Sequence, residues 1–160
     1  MKTLGKALFA FLPALILLVP TPAFATAWSP WKYELSVPSG SGPWADYCVR
    51  AGIVDTAINR VDMQTHTNTA SCSGGSQNVP SGYFAGQVSG YRDGSFCGQS
   101  AVAYSTSATW GINFSATMCS NPSGSQSFST IGFGGIYDNG NKGGTVGYHW
   151  FSRTSPSQAY

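Results

Sequence analysis

The sequence predicts an all-β domain of about seven to nine strands, arranged as a two-sheet antiparallel sandwich or a Greek-key-like barrel. Three observations lead there. Over 102–118 the even positions run Val, Tyr, Thr, Ala, Trp, Ile, Phe, Ala and Met, while the odd positions between them hold Ala, Ser, Thr, Gly and Asn. A period of two places one set on each face of a strand. The dipeptides Asp93-Gly94 and Asn139-Gly140 each separate two strand-like runs and suit the positive backbone angles of a type I′ turn. Only 9% of the 160 residues are charged, so Ser, Thr, Asn, Gln and the 20 Gly must cover most of the surface.

In chain order, residues 1–25 read as a secretory signal peptide. Lys2 and Lys6 precede an apolar stretch over 7–19, and Ala23-Phe24-Ala25 matches the small-x-small cleavage pattern. That stretch is shorter than the ~20 residues of a bilayer-crossing helix, and no later segment is long and apolar enough to be one. Residues 26–43 hold a strand over 31–37 and a Pro/Gly/Ser linker, and 44–160 are expected to form one disulfide-stabilised β domain. Val49, Ile53, Ala57 and Val61 recur at four-residue steps, which leaves room for at most one short helix near 46–57. Strands are expected over 58–66, over 83–91 and 96–104 around Asp93-Gly94, and over 130–137 and 145–151 around Asn139-Gly140. A further hairpin is expected near 105–108, inside the alternating stretch.

A shift of 49 residues brings Cys48 onto Cys97, Gly75-Ser76-Gln77 onto Gly124-Ser125-Gln126, Phe84 onto Phe133 and Gly86 onto Gly135. This faint self-similarity suggests two units, 44–91 and 92–140. Cys48, Cys72, Cys97 and Cys119 all follow the leader, and an even count in an exported chain implies two disulfides with three alternative pairings. Duplication favours Cys48 with Cys72 and Cys97 with Cys119. Metal binding by these cysteines is excluded by spacing, since no Cys-x-x-Cys occurs.

The charge balance narrows the partners. Cleavage after Ala25 removes Lys2 and Lys6, which carry the whole +2 of the full chain. A balanced remainder has no basic stripe for nucleic acid and no cationic amphipathic face for membrane disruption. The expected partner is an extracellular glycan, wall polymer or protein. Self-association is a further expectation, because strand edges without Lys are open to pairing.

Candidate chemistry is sparse. His66 and His149 are the only imidazoles and form no His-x-x-x-His pair; a triad with Asp46, Asp55, Asp62, Asp93 or Asp138 would have to be built in space. Glu34 is the only glutamate, so a glycosidase carboxylate pair would need an aspartate partner. Asp138, Asn139 and Asn141 offer oxygen ligands for Ca²⁺, yet they are equally good turn formers. No cofactor fingerprint is present, and none is expected. The aromatic residues carry the clearest signal. Trp28 and Trp31 lie near the start of the exported chain, and Tyr148 and Trp150 near its end. Tyr148 and Trp150 alternate with His149 and Phe151, so the four cannot all be buried on one face. Trp28, Trp31, Tyr148 and Trp150 are therefore the candidate ligand-binding residues.

Residues 91–98, Tyr-Arg-Asp-Gly-Ser-Phe-Cys-Gly, resemble the hairpin that opens a βγ-crystallin Greek key, and 137–144 resemble it less closely, with Lys142 where an aromatic is expected. The resemblance implies turn aromatics packed across a folded hairpin. Some secreted bacterial members of that family inhibit proteases. The likeness concerns the construction of the hairpin alone.

The function these features suggest first is a secreted or cell-surface, non-catalytic β-domain that binds an extracellular ligand. A secreted protease inhibitor or toxin-like protein is the alternative, and a small extracellular hydrolase using His66 or His149 the third.

Overall fold

The computed structural model describes residues 26–38, 44–57, 60–69, 75–119, 126–140 and 145–159. The leader at 1–25, the linker at 39–43, Cys72 and Asn141 lie outside the described residues. Eleven strands are found among them, and no helix: β1 (Thr26–Trp28), β2 (Lys32–Pro38), β3 (Trp44–Ala57), β4 (Arg60–Asn68), β5 (Phe84–Arg92), β6 (Ser95–Gln99), β7 (Ala103–Tyr104), β8 (Gly111–Thr117), β9 (Ser127–Asp138), β10 (Gly147–Thr154) and β11 (Gln158–Ala159).

They form two antiparallel sheets packed face to face, a sandwich and not a closed barrel. One sheet runs β1–β3–β4–β8, with β2 also on β3. The other runs β10–β9–β5–β6, with β11 on β9 and β7 on β5. The 49-residue offset relates β3 to β6 and β7, which lie in opposite sheets, and β4 to β8, which pair with each other.

The strand count exceeds nine because three outer strands are each broken in two. β1 and β2 share one edge of β3, β6 and β7 one edge of β5, and β10 and β11 one edge of β9. A serine sits at each break and makes the same pair of bonds. Ser29 donates its N–H to the Ala51 carbonyl (2.8 Å) while its hydroxyl accepts the Ala51 N–H (2.9 Å). Ser100 does this to Val88 (2.9 and 3.1 Å), Ser155 to Thr130 (2.9 and 3.0 Å), and Ser105, just past β7, to Phe84 (2.9 and 3.3 Å). The hydroxyl stands in for a strand carbonyl, so the inner strand keeps its bonds while the outer one turns away. Pro30 and Pro156 follow two of these serines, and proline cannot donate to a ladder. β8 runs without such a break along the opposite edge of its sheet.

One open point is settled and two expectations are corrected. Residues 46–57 hold no helix; they lie in β3, which pairs with other strands along both edges, and its odd positions Ala45, Tyr47, Val49, Ala51 and Ile53 are all buried. That period of two prevails over the four-residue recurrence. No hairpin closes near 105–108: β7 pairs with β5 and β8 with β4, so this segment carries the chain from one sheet to the other. Asn139-Gly140 does not close a two-residue turn either. Asp138 pairs with Gly147, only Gly140 of the dipeptide has positive φ (74°), and the Asp138 carboxylate accepts the Gly140 N–H at 2.8 Å. By contrast, Asp93 (φ 50°) and Gly94 (φ 78°) close β5 onto β6 as a two-residue turn, with Arg92 paired to Ser95.

The core lies in two clusters. Ala45, Tyr47, Val79, Phe84 and Ile136 fill one end, and Ile53, Val61, Met63, Val88, Cys119 and Phe128 the other. Between them the sheets approach closely. A Cβ on Gly132 would meet Thr65 at 2.8 Å, and one on Gly134 would meet Thr67 at 2.5 Å. Cys97 and Cys119 are joined in a disulfide that ties β6 to the end of β8. Cys48 is also disulfide-bonded, and Cys72, its expected partner, lies outside the described residues.

Glu34 is the extra residue of a bulge in β2, between Tyr33 and Leu35. A bulge re-aims its side chain, and the Glu34 carboxylate forms an ion pair with Arg153 of β10, joining the two sheets. Burial lowers the Arg153 pKa.

Candidate ligand-binding faces

The candidate aromatic residues divide between the two outer faces of the sandwich. Tyr148 and Trp150 project from β10, where Tyr148 pairs with Tyr137 and Trp150 with Gly135 of β9. Gly135 pairs in turn with Ala85 of β5, and Ala85 with Tyr104 of β7. This row leaves Tyr104 and Trp150 three strand spacings apart, ~14 Å, with two small residues between them. The Trp150 ring lies across Gly135, where a Cβ would come within 3.1 Å of it. Tyr148 packs 5.5 Å from Tyr104, 5.3 Å from Tyr137 and 6.1 Å from Trp150. The Tyr148 hydroxyl donates to the Gly82 carbonyl, and Tyr83 stacks edge-on to Tyr137 at 5.2 Å. The rings hold one another in place and bury Ala85, yet Tyr104 remains 50% and Trp150 42% exposed. Burial and the neighbouring tyrosines Tyr104 and Tyr137 raise the Tyr148 pKa, so its hydroxyl stays protonated. Gln87 and Ser152 occupy the next cross-strand row, through Phe133, and the Gln99 amide donates to Gln87 at 3.2 Å.

Trp28 and Trp31 belong to the other sheet. The Trp28 ring lies across Gly52 of β3, much as Trp150 lies across Gly135. The Arg50 guanidinium sits 4.2 Å from the Trp28 ring and 4.4 Å from the Trp31 ring. His66 stacks against Trp28 at 4.4 Å, and its Nδ1 accepts from Arg50 Nη2 at 3.2 Å. Burial, with the adjacent Arg50 charge, lowers the His66 pKa to about 4; the Asn113 amide works in the opposite direction. His66, Asn68, Trp110, Gly111, Ile112 and Asn113 line a hollow of about 190 Å³ beside this stack. Arg50, Trp110, Asn68 and Asn113 were not singled out in the sequence, because nothing local distinguishes them from other polar or strand residues; only the pairing of three strands assembles them.

The catalytic candidates are therefore differently placed. His66 meets a cation. His149 Nε2 lies 3.8 Å from the Asp138 carboxylate, and no hydroxyl or thiol is hydrogen-bonded to either imidazole among the described residues. Tyr47 lies close by, its pKa raised well above the ordinary tyrosine value by burial and by Tyr83 and Asp138. Of the metal candidates, Asp138 bonds the Gly140 N–H and the Asn139 amide donates to the Tyr83 hydroxyl at 3.1 Å. Among the described residues no three His, Cys, Asp or Glu side chains converge.

At the tip of the β5–β6 hairpin Tyr91 packs edge-on to Phe96 at 5.7 Å, the packing expected for such a turn. Phe96 is largely exposed, beside a hollow of about 340 Å³ lined also by Arg92, Ser95 and the Cys97–Cys119 bridge. Comparison of the chain with family models, with curated proteins and with solved structures finds no match.

Proposed function

We propose that this chain is an exported, non-catalytic binding module that engages a neutral extracellular polysaccharide through Tyr104, Tyr148 and Trp150. The observation that carries the reading is the mutually packed row of rings, seated over Ala85 and Gly135, with its outer members half-open to solvent. Aromatic faces stack on the apolar faces of sugar rings, and a preformed platform loses little side-chain entropy on binding. Gln87, Gln99 and Ser152 border it and supply uncharged hydrogen-bonding groups for hydroxyls. The Cys97–Cys119 disulfide and the absence of a helix long and apolar enough to cross a membrane, among the described residues, are compatible with an extracellular setting.

The test is retention of the purified protein on insoluble cellulose, chitin and peptidoglycan. Wild type is expected on at least one of the three, Trp150→Ala and Tyr104→Ala are expected to be released, and His66→Gln to remain bound. Passage of the wild type through all three, or equal retention of Trp150→Ala, overturns the reading. The exposed Phe96 beside a disulfide favours the inhibitor alternative, in which that hairpin docks into an exoprotease. A stoichiometric complex lost in Phe96→Ala would establish it.

A further inference from the structure

On the face opposite the Tyr104–Trp150 row, we infer a second binding site, one for a sugar acid, in which the Arg50 fork takes the carboxylate and Trp110, Asn68 and Asn113 receive the ring. The inference rests on its own residues and stands whether or not the polysaccharide platform does.

Arg50 is a partly buried cation with no carboxylate against it among the described residues, and burial lowers its pKa. Trp28 and Trp31 flank the guanidinium, which offsets part of the cost of its desolvation and holds it in one orientation. Nε is shut off from solvent and one Nη2 hydrogen goes to His66, so what remains for a carboxylate is the end-on edge formed by Nη1 and the second Nη2 hydrogen. His66 fixes the other side of the group. A guanidinium only donates, so Nδ1 of His66 is the acceptor and the neutral ring carries its hydrogen on Nε2. At neutral pH the imidazole therefore adds no second positive charge.

Arg50, His66 and Asn113 form one cross-strand row on β3, β4 and β8, and the 190 Å³ hollow lies at its Asn113 end. The half-exposed Trp110 offers a stacking face there, the exposed Asn113 amide, which donates to Gln64 Oε1 at 3.1 Å, keeps a second N–H for a ring hydroxyl, and Asn68 lines the hollow beside it. A charge-pairing fork beside an aromatic face and two amides suits a carboxylated pyranose better than a peptide terminus, which has no ring to stack and few hydroxyls to satisfy.

The experiment is titration of the full exported chain with sodium glucuronate, followed by tryptophan fluorescence and calorimetry. Glucose and the peptide carboxylate acetyl-dialanine are titrated in parallel. Glucuronate is expected to saturate, with glucose and acetyl-dialanine each weaker by about tenfold or more, the loss of a charge-assisted pair or of the ring contacts. Arg50→Lys, which keeps the charge and loses the fork, and the exposed-site variant Asn113→Ala are each expected to weaken glucuronate binding, with thermal melts confirming that both fold. Thr154→Ala, at an exposed position on β10 of the other sheet, is expected to bind glucuronate like wild type. Absence of saturation, glucose as tight as glucuronate, or unchanged binding by folded Arg50→Lys and Asn113→Ala overturns the site. Tighter binding of acetyl-dialanine overturns it in favour of a peptide terminus.

Discussion

The Glu34–Arg153 pair offers the sharpest test of how the two sheets are held together. Arg153→Met keeps the aliphatic stem but strands the Glu34 carboxylate between the sheets, and Glu34→Leu strands the guanidinium in the same way. The two side chains are 7% and 19% exposed, so neither charge can regain full hydration without moving. Breaking a buried pair costs ~3–5 kcal/mol, and the residual exposure of Arg153 places the loss near ~3 kcal/mol. Against a total stability of ~5–15 kcal/mol, that is enough to lower Tm by about 10 °C. Replacing both partners removes the stranded charge as well as the attraction, so Glu34→Leu with Arg153→Met should return to within ~1 kcal/mol of wild type. Urea unfolding followed by circular dichroism, at neutral pH with disulfides intact, measures all four corners of the cycle. A loss below ~1 kcal/mol in either single variant, or a double variant whose loss is the sum of the singles, would refute the claim that this pair is a buried inter-sheet contact.

Other outcomes follow from the packing of the two sheets. Ser105→Ala leaves the buried Phe84 N–H without its hydroxyl acceptor, while the Gly82 N–H keeps the Ser105 carbonyl at 2.8 Å, and should cost ~1–3 kcal/mol in the same urea assay, with Ser105→Thr recovering part of it. Replacing Cys97 and Cys119 together by Ala opens a loop with a separation of 22 residues and should cost about 3 kcal/mol; an unchanged melting temperature would show that the bridge contributes nothing. Gly86→Ala would set a Cβ 1.7 Å from the Phe114 ring, so ~1–3 kcal/mol should be lost, with part regained when Phe114→Leu is added. For His66, the folded pKa of about 4 lies below the ordinary 6.5, so the unfolded chain takes up the proton first. Stability should therefore fall as pH drops below 6.5 and stop falling on this account near 4, by ~1–2 kcal/mol once solvent screening of a half-buried ring is allowed for. His66→Gln should flatten that part of the pH curve, the aspartates cancelling in the comparison.

Much of the fold was legible because its signals are local. Asp93-Gly94 reads as a tight hairpin from two residues, since both must take positive φ and few other residues do so cheaply. The alternation over 102–118 reads as strand, but alternation carries no information about partners. A crossing between sheets at 105–110 has the same pattern as a hairpin, and the difference lies in β7 joining β5 while β8 joins β4. The four-residue recurrence runs through Val49, Ile53 and Ala57 of β3 into Val61 of β4, whereas Ala45, Tyr47 and Ala51, buried with Val49 and Ile53, complete the period of two. Gly52, which weighs against a helix on propensity, proves to be the seat of the Trp28 ring.

The candidate faces were legible only in part. Trp28, Trp31, Tyr148 and Trp150 stood out by type and position, yet they occupy opposite sides of the molecule, and each pair acquires its meaning from neighbours contributed by distant strands. Arg50 acquires its place in the inferred site only because β3 brings it between two indoles and beside His66 of β4.

Residue chemistry alone, then, settles the all-β class, the tight turn after Arg92 and the hydroxyl-rich character of the surface, because these depend on backbone sterics and on period-two burial within a few residues. Which strands pair, where serine hydroxyls replace ladder carbonyls, and which aromatic rings meet which polar groups belong to the packed molecule. Such contacts join residues tens of positions apart, and their energies exist only once two sheets have excluded water between them.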